Sequence, residues 1–471
     1  MKSKSNKPQT LENKGLSEIR GGYEPWIVIS FIFAIIGTFQ TYPFIGLADG
    51  FTRWSLALEI VNAGKIQTDN LLSPIIPYIQ AVTYKITNSF GLYTLLQAAL
   101  FYMAIGALIW LLIGERSVKL FGRMIPIWII VALLITVVPT VYVFPLMLTD
   151  SAPIFVLMVF SGWAVLSKMN VQYKALVLCA FSFLCVGIRI NSLVMLLIAI
   201  LIYVFRSLYD KSKECLICAG AILTGCIIGI IAIGVLSPSK YNASSLGMVW
   251  ELVGEASNTN NDELITELGK HGDIEEAVRR YGEPYLNSIV WDNNPPYPAM
   301  QIAGEEAKGI TQIYLKEAIR HPIRFIRNKW YFVDHTLGIS DSLISSTRGV
   351  HGVDDRTKSM GALETEFQGK LRQNFFSTTD KMSVISLRPL YAVLITLILV
   401  VAVKTLKGNI KAILLFLFLA VAYYSSFCIN TQAFEYRYYA PSFYVIFCLI
   451  ICEIIEIVYL LHHRISKGDN R

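Results

Sequence analysis

One pattern repeats along this chain from Trp26 to Leu460: apolar runs, separated by short loops in which Lys and Arg recur. A hydrocarbon layer about 30 Å thick is crossed by roughly 20 apolar residues in a helix. Only helices and closed barrels satisfy their own backbone polar groups there. With 54% hydrophobic residues, 16% charged residues and a mean hydropathy of +0.52, the chain has more apolar sequence than a soluble core uses. The expected fold class is therefore an all-α polytopic membrane protein.

Charge is divided unevenly. From Ser237 to Leu387 there are 16 Lys+Arg against 20 Asp+Glu, while the rest of the chain carries 25 against 14. A positive excess confined to short loops is a topology signal and not a nucleic-acid surface. The eight Cys lie in or beside apolar runs and none falls in the polar stretch, so no disulfide framework is expected there. Cys215 and Cys218 form a CxxC that opens an apolar run and has no second pair, so no metal site is expected from them.

Taken in order, residues 1–22 read as a flexible, basic, cytoplasmic tail. That stretch is too long and too polar for a signal n-region, so the first span is expected to stay as an anchor. Residues 23–236 form an N-terminal transmembrane module, with spans at about Trp26–Phe44, Gly91–Ile113, Met124–Tyr142, a fourth after Asp150, and Cys215–Leu236. The run 175–205 is too long for one span, so two helices are expected to meet near Arg189 and Asn191. In the first outer loop, 45–90, residues 51–66 predict an amphipathic surface helix. Ser73-Pro74-Ile75-Ile76-Pro77-Tyr78 opens a short re-entrant or juxtamembrane helix. Residues 237–387 form an extracytoplasmic, mainly helical insert with polar helices near Asp273–Arg280 and Ala303–Arg320. Residues 388–461 hold the last three spans and 462–471 a second cytoplasmic tail. Ten spans place every short basic loop on the cytoplasmic side; counting 73–86 as a crossing would put Arg116, Lys119 and Arg123 outside.

With that topology Asp49, Arg53, Asp150, Arg189, Glu435 and Arg437 gather on one side, at span ends. Ionisable groups at membrane depth are costly, so such a gathering marks a candidate site. Asp49 and Asp150 are candidate catalytic carboxylates, one as general base and the other orienting an acceptor or holding a divalent cation. Helix capping is the competing reading for both. Arg189 reads either as an anion clamp or as a snorkelling or structurally paired side chain. Lys316, Arg320, Arg324 and Arg327 form a basic stripe beside an apolar stripe of Ile319, Ile323, Ile326 and Trp330. It suits a surface helix on anionic lipid, or a guide for a lipid-linked phosphate. Phe434-Glu435-Tyr436-Arg437-Tyr438-Tyr439 offers aromatic faces for a sugar and an Arg for its phosphate, or an aromatic belt.

The order of these pieces resembles the GT-C superfamily of membrane glycosyltransferases, of the protein mannosyltransferase and aminoarabinose transferase type. The resemblance rests on Ala48-Asp49-Gly50, Ser73-Pro74-Ile75-Ile76-Pro77-Tyr78, Thr149-Asp150, Gly187-Ile188-Arg189 and Arg437-Tyr438-Tyr439-Ala440-Pro441. The phrase Ala318-Ile319-Arg320-His321-Pro322-Ile323-Arg324-Phe325 adds to it. It implies a GT-C-like bundle of about ten transmembrane helices that takes a sugar from a polyprenyl-phosphate carrier. The acceptor would be an extracytoplasmic glycan, lipid or protein. By the same resemblance Asp49 is the base, Asp150 the second acidic residue, and Arg189 and Arg437 carrier-phosphate ligands. Arg53, Arg320, Arg324, Glu435 and Tyr438 complete the expected substrate contacts. Two departures stand out: Asp49-Gly50 replaces a pair of acidic residues, which leaves a divalent cation open, and the insert precedes the last spans instead of following them. Basic inner loops and a Cys-free insert suit a bacterial plasma membrane, with both termini cytoplasmic and the site extracytoplasmic. An envelope polysaccharide polymerase would share these features. A lipid-linked glycan flippase or transporter would instead call for inverted repeats and mid-membrane polar groups, which the sequence does not display.

Overall fold

The computed structural model describes residues 16–42, 48–120, 123–138, 141, 150–237, 241–259, 261–282, 286–291, 294–343, 365, 366, 370, 388–406, 408, 410–429 and 436–466. The first apolar run forms α1 (Leu16–Thr41), which starts inside the stretch expected to be a flexible tail. The helix runs through Gly21, Gly22 and Pro25, residues whose helix propensities are the poorest, so its start is not one that local preference would have set. The stretch between the first two long apolar helices folds as two helices, α2 (Ala48–Ala63) and α3 (Ile75–Thr87). They fall at the segments expected to form a surface helix and a short re-entrant or juxtamembrane helix. Trp54, Leu56, Ala57 and Ile60 of α2 are buried with Ala81 of α3 and Phe90, forming a small core apart from the main one. The apolar spacing of α2 therefore serves to pack the two helices on each other.

Helix α4 (Gly91–Ile113) lies at the centre of the bundle and is packed on α1. The Trp26 indole sits against Gly106, where there is no room for a Cβ, and its Nε1 donates to the Tyr102 carbonyl at 2.9 Å. Small residues let membrane helices approach closely, where apolar lipid supplies no hydrophobic drive to assemble them. The loop after α4 is a hairpin of β1 (Ser117–Leu120) and β2 (Arg123–Pro126), antiparallel, with Ser117 opposite Pro126 and Leu120 opposite Arg123. Then follow α5 (Ile127–Thr136), α6 (Ser151–Leu166), α7 (Val171–Ile188), α8 (Ser192–Asp210) and α9 (Lys213–Leu236). The long run 175–205 thus breaks between α7 and α8, with Arg189 extended at φ −150°, ψ 109°. Gly225 and Gly229 of α9 let that helix settle on Cys179, Ser182, Phe183 and Val186 of α7.

The insert is helical throughout its described part: α10 (Ser244–Thr259), α11 (Asp262–Leu268), α12 (Ile274–Arg280), α13 (Asn287–Val290), α14 (Ala299–Ala303), α15 (Ala307–Arg320) and α16 (Pro322–Thr336). Asp273 caps α12, accepting from the Glu276 amide at 3.1 Å. The chain then returns through α17 (Pro389–Thr405), α18 (Lys411–Ile429) and α19 (Tyr436–Ser466).

Seven helices are long and apolar enough to cross a membrane, and α5, α6 and α17 are shorter apolar helices among the described residues. The chain is a multi-pass, all-α membrane protein. Two sets of contacts fix which parts share an end. At one end Arg116, before the hairpin, grips Glu456 of α19, with Nη2 3.1 Å from Oε1, and lies 4.1 Å over the Tyr459 ring. At the other end Asp150, Arg189 and the start of α19 come together.

Candidate functional site

The break between α7 and α8 is where the site is built. Arg189 is the C-cap of α7: its amide donates to the Cys185 carbonyl and its carbonyl accepts from the Ser192 amide, each at 2.9 Å, in the turn into α8. Its Nη2 is 3.1 Å from Asp150 Oδ2, and its Nη1 donates to Tyr423 Oη at 3.3 Å. The guanidinium lies over two rings, Tyr438 at 4.8 Å and Phe427 at 5.5 Å from the centroids. Those rings are themselves stacked, 5.0 Å apart at 26°.

Asp150 stands at the N-cap position of α6, yet its side chain makes no capping bond. Its Oδ2 is shared by Arg189 and by Arg53 Nη2 at 3.3 Å, and Ser151 Oγ donates to its Oδ1 at 3.4 Å. The carboxylate thus does not do the capping that the sequence also allows; it is held by ion pairs with two arginines. Arg53 and Asp150 are 3% and 7% exposed, so two guanidiniums meet one carboxylate in a buried cluster. Tyr93 of α4 lies within electrostatic reach of both Arg53 and Asp150.

Asp49 is half-buried in the first turn of α2, one helical turn before Arg53 and on the same side of the helix. A carboxylate there is favoured by the amides of the helix N-terminus. Sequence-distant motifs also meet at this end. Ser73 Oγ donates to the Gly187 carbonyl. A Cβ on Gly187 would lie 2.9 Å from Ile75 Cγ1, so glycine is what allows α3 to rest on the end of α7 beside Arg189.

The insert covers this end. Lys329 Nζ donates to the Ile429 carbonyl at 2.5 Å and to Glu251 Oε1 at 2.6 Å. Tyr424 Oη donates to the Thr336 carbonyl at 2.5 Å, and Tyr241 Oη donates to Asp69 Oδ2, between α2 and α3, at 3.1 Å. Tyr423 and Ile429 belong to one helix, so the insert is fastened to the helix that contacts Arg189.

The other expected residues are placed differently. Arg320 is 3.2 Å from Glu263, and Arg324 binds Glu255 at 2.7 Å and also Glu317. Lys316 binds Glu263 at 3.0 Å and also Glu267. Lys316, Arg320 and Arg324 of the basic stripe thus turn onto the acidic residues of the insert and do not join Arg53 and Arg189, while Arg327 is exposed. Burial and the neighbouring Glu317 carboxyl push Glu255 up to about 7, against the pull of Arg324. Glu435 and the Arg437 side chain lie outside the described residues, while Tyr438 is in the cluster. Tyr93, Tyr423 and Phe427 were not expected in the site. Tyr423 and Phe427 sit one turn apart inside an apolar span, where aromatic residues ordinarily mean core.

Two guanidiniums on one carboxylate suit an anion. They do not suit a divalent cation, because the central oxygen is already held between two positive groups. Among the described residues no group of three or more His, Cys, Asp or Glu side chains is placed to hold a metal. Comparison with protein-family models, with curated proteins and with solved structures finds no match. The chemistry of the site has to be read from its own geometry.

Proposed function

We propose that this protein is a GT-C-like glycosyltransferase that moves a sugar from a polyprenyl-phosphate carrier to an acceptor hydroxyl. The observation that carries the reading is the buried Arg53–Asp150–Arg189 cluster, roofed by the insert and lined by stacked aromatic rings. In this reading α5, α6 and α17 also cross the bilayer, giving ten spans, with the site end extracytoplasmic and both termini cytoplasmic. The membrane is a bacterial plasma membrane, and the acceptor a cell-envelope glycan, lipid or protein.

The carrier's phosphate sits against Arg53 and Arg189, with the sugar against Tyr438 and Phe427. Arg suits this task because its planar fork of donors matches phosphate oxygens. Asp49 accepts the proton of the acceptor hydroxyl. The hydroxyl oxygen attacks the anomeric carbon in line, the new glycosidic C–O bond forms with inversion, and the bond to the phosphate oxygen breaks. The departing phosphate keeps the electron pair. Its charge grows in the transition state, so fixed guanidiniums stabilise that state more than the ground state.

The test uses the purified full chain and a panel of polyprenyl-phosphate sugars, and reads release of polyprenyl phosphate. Asp49→Asn is expected to slow release by about 10²–10⁴-fold, the usual contribution of a general base. Arg189→Gln is expected to slow it by about 10²–10³-fold, as for loss of one charge-stabilising donor. Equal release by wild type and Asp49→Asn removes Asp49 as the base; no release from any donor removes the transferase reading. Labelling of Lys119→Cys from outside the cell would invert the orientation.

A further inference from the structure

Three buried carboxyls meet two cations inside the insert. Glu251 and Glu255 lie one turn apart on α10 and Glu317 lies on α15; they are 2%, 1% and 7% exposed. Both cations come from α16. Lys329 Nζ donates to Glu251 Oε1, and Tyr314 Oη donates to the other Glu251 oxygen at 2.7 Å. Arg324 Nε donates to Glu255 Oε1 at 2.7 Å, and its Nη2 binds Glu317. With every carboxyl ionised, the group would hold three negative charges against two positive ones, away from water. An unmatched buried charge is costly, and a group so placed takes up a proton instead.

The contacts single out which carboxyls hold it. Glu251 is matched by Lys329. Glu255 and Glu317 share Arg324 and lie within hydrogen-bonding reach of each other, and Glu255 Oε2 meets no donor. Two carboxyls sit that close when one proton lies between them, because like charges side by side do not both stay ionised. The other ionisable groups on the packed elements are turned elsewhere. Lys316 and Arg320 of α15 face Glu263 and Glu267, and His321 reaches Glu263. Arg279 and Arg280 of α12 hold Glu276, and Tyr281 rests on Gly254 within reach of Glu251 and Tyr331. Asp334 and His335 pair at the far end of α16, Arg327 and Lys308 are exposed, and α14 has no ionisable side chain. Cys428 of α18 lies by Lys329.

The same helix fastens the insert over the site. Besides Glu251, Lys329 reaches the Ile429 carbonyl, Thr336 receives Tyr424, and Asn328 Nδ2 donates to the Glu251 carbonyl at 2.8 Å. We infer that Glu255 and Glu317 form a proton-binding latch: one shared proton balances the group and clamps α16 onto α10 and α15, and its loss leaves a third buried negative charge that frees α16. A freed α16 loosens the cover of the Arg53–Asp150–Arg189 cluster. The latch is read without substrate, so it stands or falls independently of the transferase reading.

Burial and Glu317 hold Glu255 up to about 7 in the clamped form, while a freed carboxyl returns to about 4.5. Between those values the clamped form binds one proton more than the freed form. Its advantage is therefore full below about 4.5, falls about ten-fold per pH unit as pH rises, and is gone by about 7.

The test is hydrogen exchange read by mass spectrometry on peptides of the full chain in detergent, between pH 5 and pH 7 (about the span of the two values). Wild type is compared with Glu255→Gln at each pH, which cancels the intrinsic pH dependence of exchange. Gln is neutral and keeps an N–H for Glu317, so it stands for the protonated latch. Across that range the α16 peptide of wild type is expected to lose about 10²-fold in protection relative to Glu255→Gln, the effect of one linked proton. Glu317→Gln removes the carboxyl that shares the proton, so its loss is expected to be smaller. Peptides of α4, at the bundle centre, are expected to show no such difference. Parallel pH trends at α16 in wild type and Glu255→Gln overturn the latch, as does a loss in Glu317→Gln as large as that of wild type. An equal loss at α4 also overturns it, because the whole fold and not α16 would then answer to the proton.

Discussion

Replacing Asp150 by Asn tests the site most sharply, because the change keeps shape and removes only charge. Its Oδ2 is 3.3 Å from Arg53 and 3.1 Å from Arg189. At an effective dielectric of 20, each contact is worth about 5 kcal/mol of Coulomb attraction, most of which offsets the burial of the charges. Removing one member of a buried ion cluster typically costs about 3–5 kcal/mol, because the remaining charges stay buried and unmatched. Here two guanidiniums would be left facing each other. In a chain of this size that cost lowers the melting temperature by on the order of 5 °C. The loss should be recovered in part by inorganic phosphate, since an anion between the guanidiniums replaces the missing charge. Wild type should gain less from phosphate, because Asp150 already offsets part of the charge of the two guanidiniums. The assay is thermal unfolding in detergent, at low ionic strength, with phosphate titrated against an equal ionic strength of chloride. A variant that melts with wild type, or that responds identically to phosphate and chloride, would refute the buried anion site.

Three further outcomes follow from particular contacts. Gly187→Ala puts a Cβ 2.9 Å from Ile75 Cγ1, an overpacking expected to cost about 1–3 kcal/mol, and Ile75→Ala should recover it in the double variant; additive losses would break the proposed contact. Glu255 is held up to about 7, so its folded form binds a proton that the unfolded chain has already released above about 4.5. Its contribution is full below the unfolded value and is lost as pH rises through about 7, so melting should fall across that window and Glu255→Gln should flatten the slope. An unchanged slope would assign the titration to another group. Arg189→Lys should not restore the release of polyprenyl phosphate lost in Arg189→Gln, because a point charge cannot hold Asp150, Tyr423 and the Tyr438 face together; wild-type rates in the Lys variant would show that charge alone suffices.

The residues that sequence could place are those whose chemistry is at odds with their surroundings. Arg189 interrupts an apolar run, and Asp150 and Arg53 stand where spans end, so desolvation alone argues that each has a partner. The helix order and the break at Arg189 follow from the same hydropathy logic. What pattern could not supply is pairing across the chain. Arg320 and Arg324 resemble an anion guide only as long as Glu263 and Glu255 are unseen, and those partners lie 57 and 69 residues away. Spacing within a segment carries no term for such contacts, and the insert's excess of acidic residues was the one hint that its cations would be neutralised from within. Tyr423 and Phe427 fail for the opposite reason: their surroundings suit them, so nothing in the sequence separates a ring that holds a guanidinium from one that fills a core. A buried polar cluster in a membrane protein is thus legible by its charged members and blind to its aromatic ones. The charged members fix where the anion would sit, but the aromatic members, which only the fold displays, fix what could lie beside it. That is why the proposed sugar contact depends on Phe427 and Tyr438 as a stacked pair, and not on the arginines.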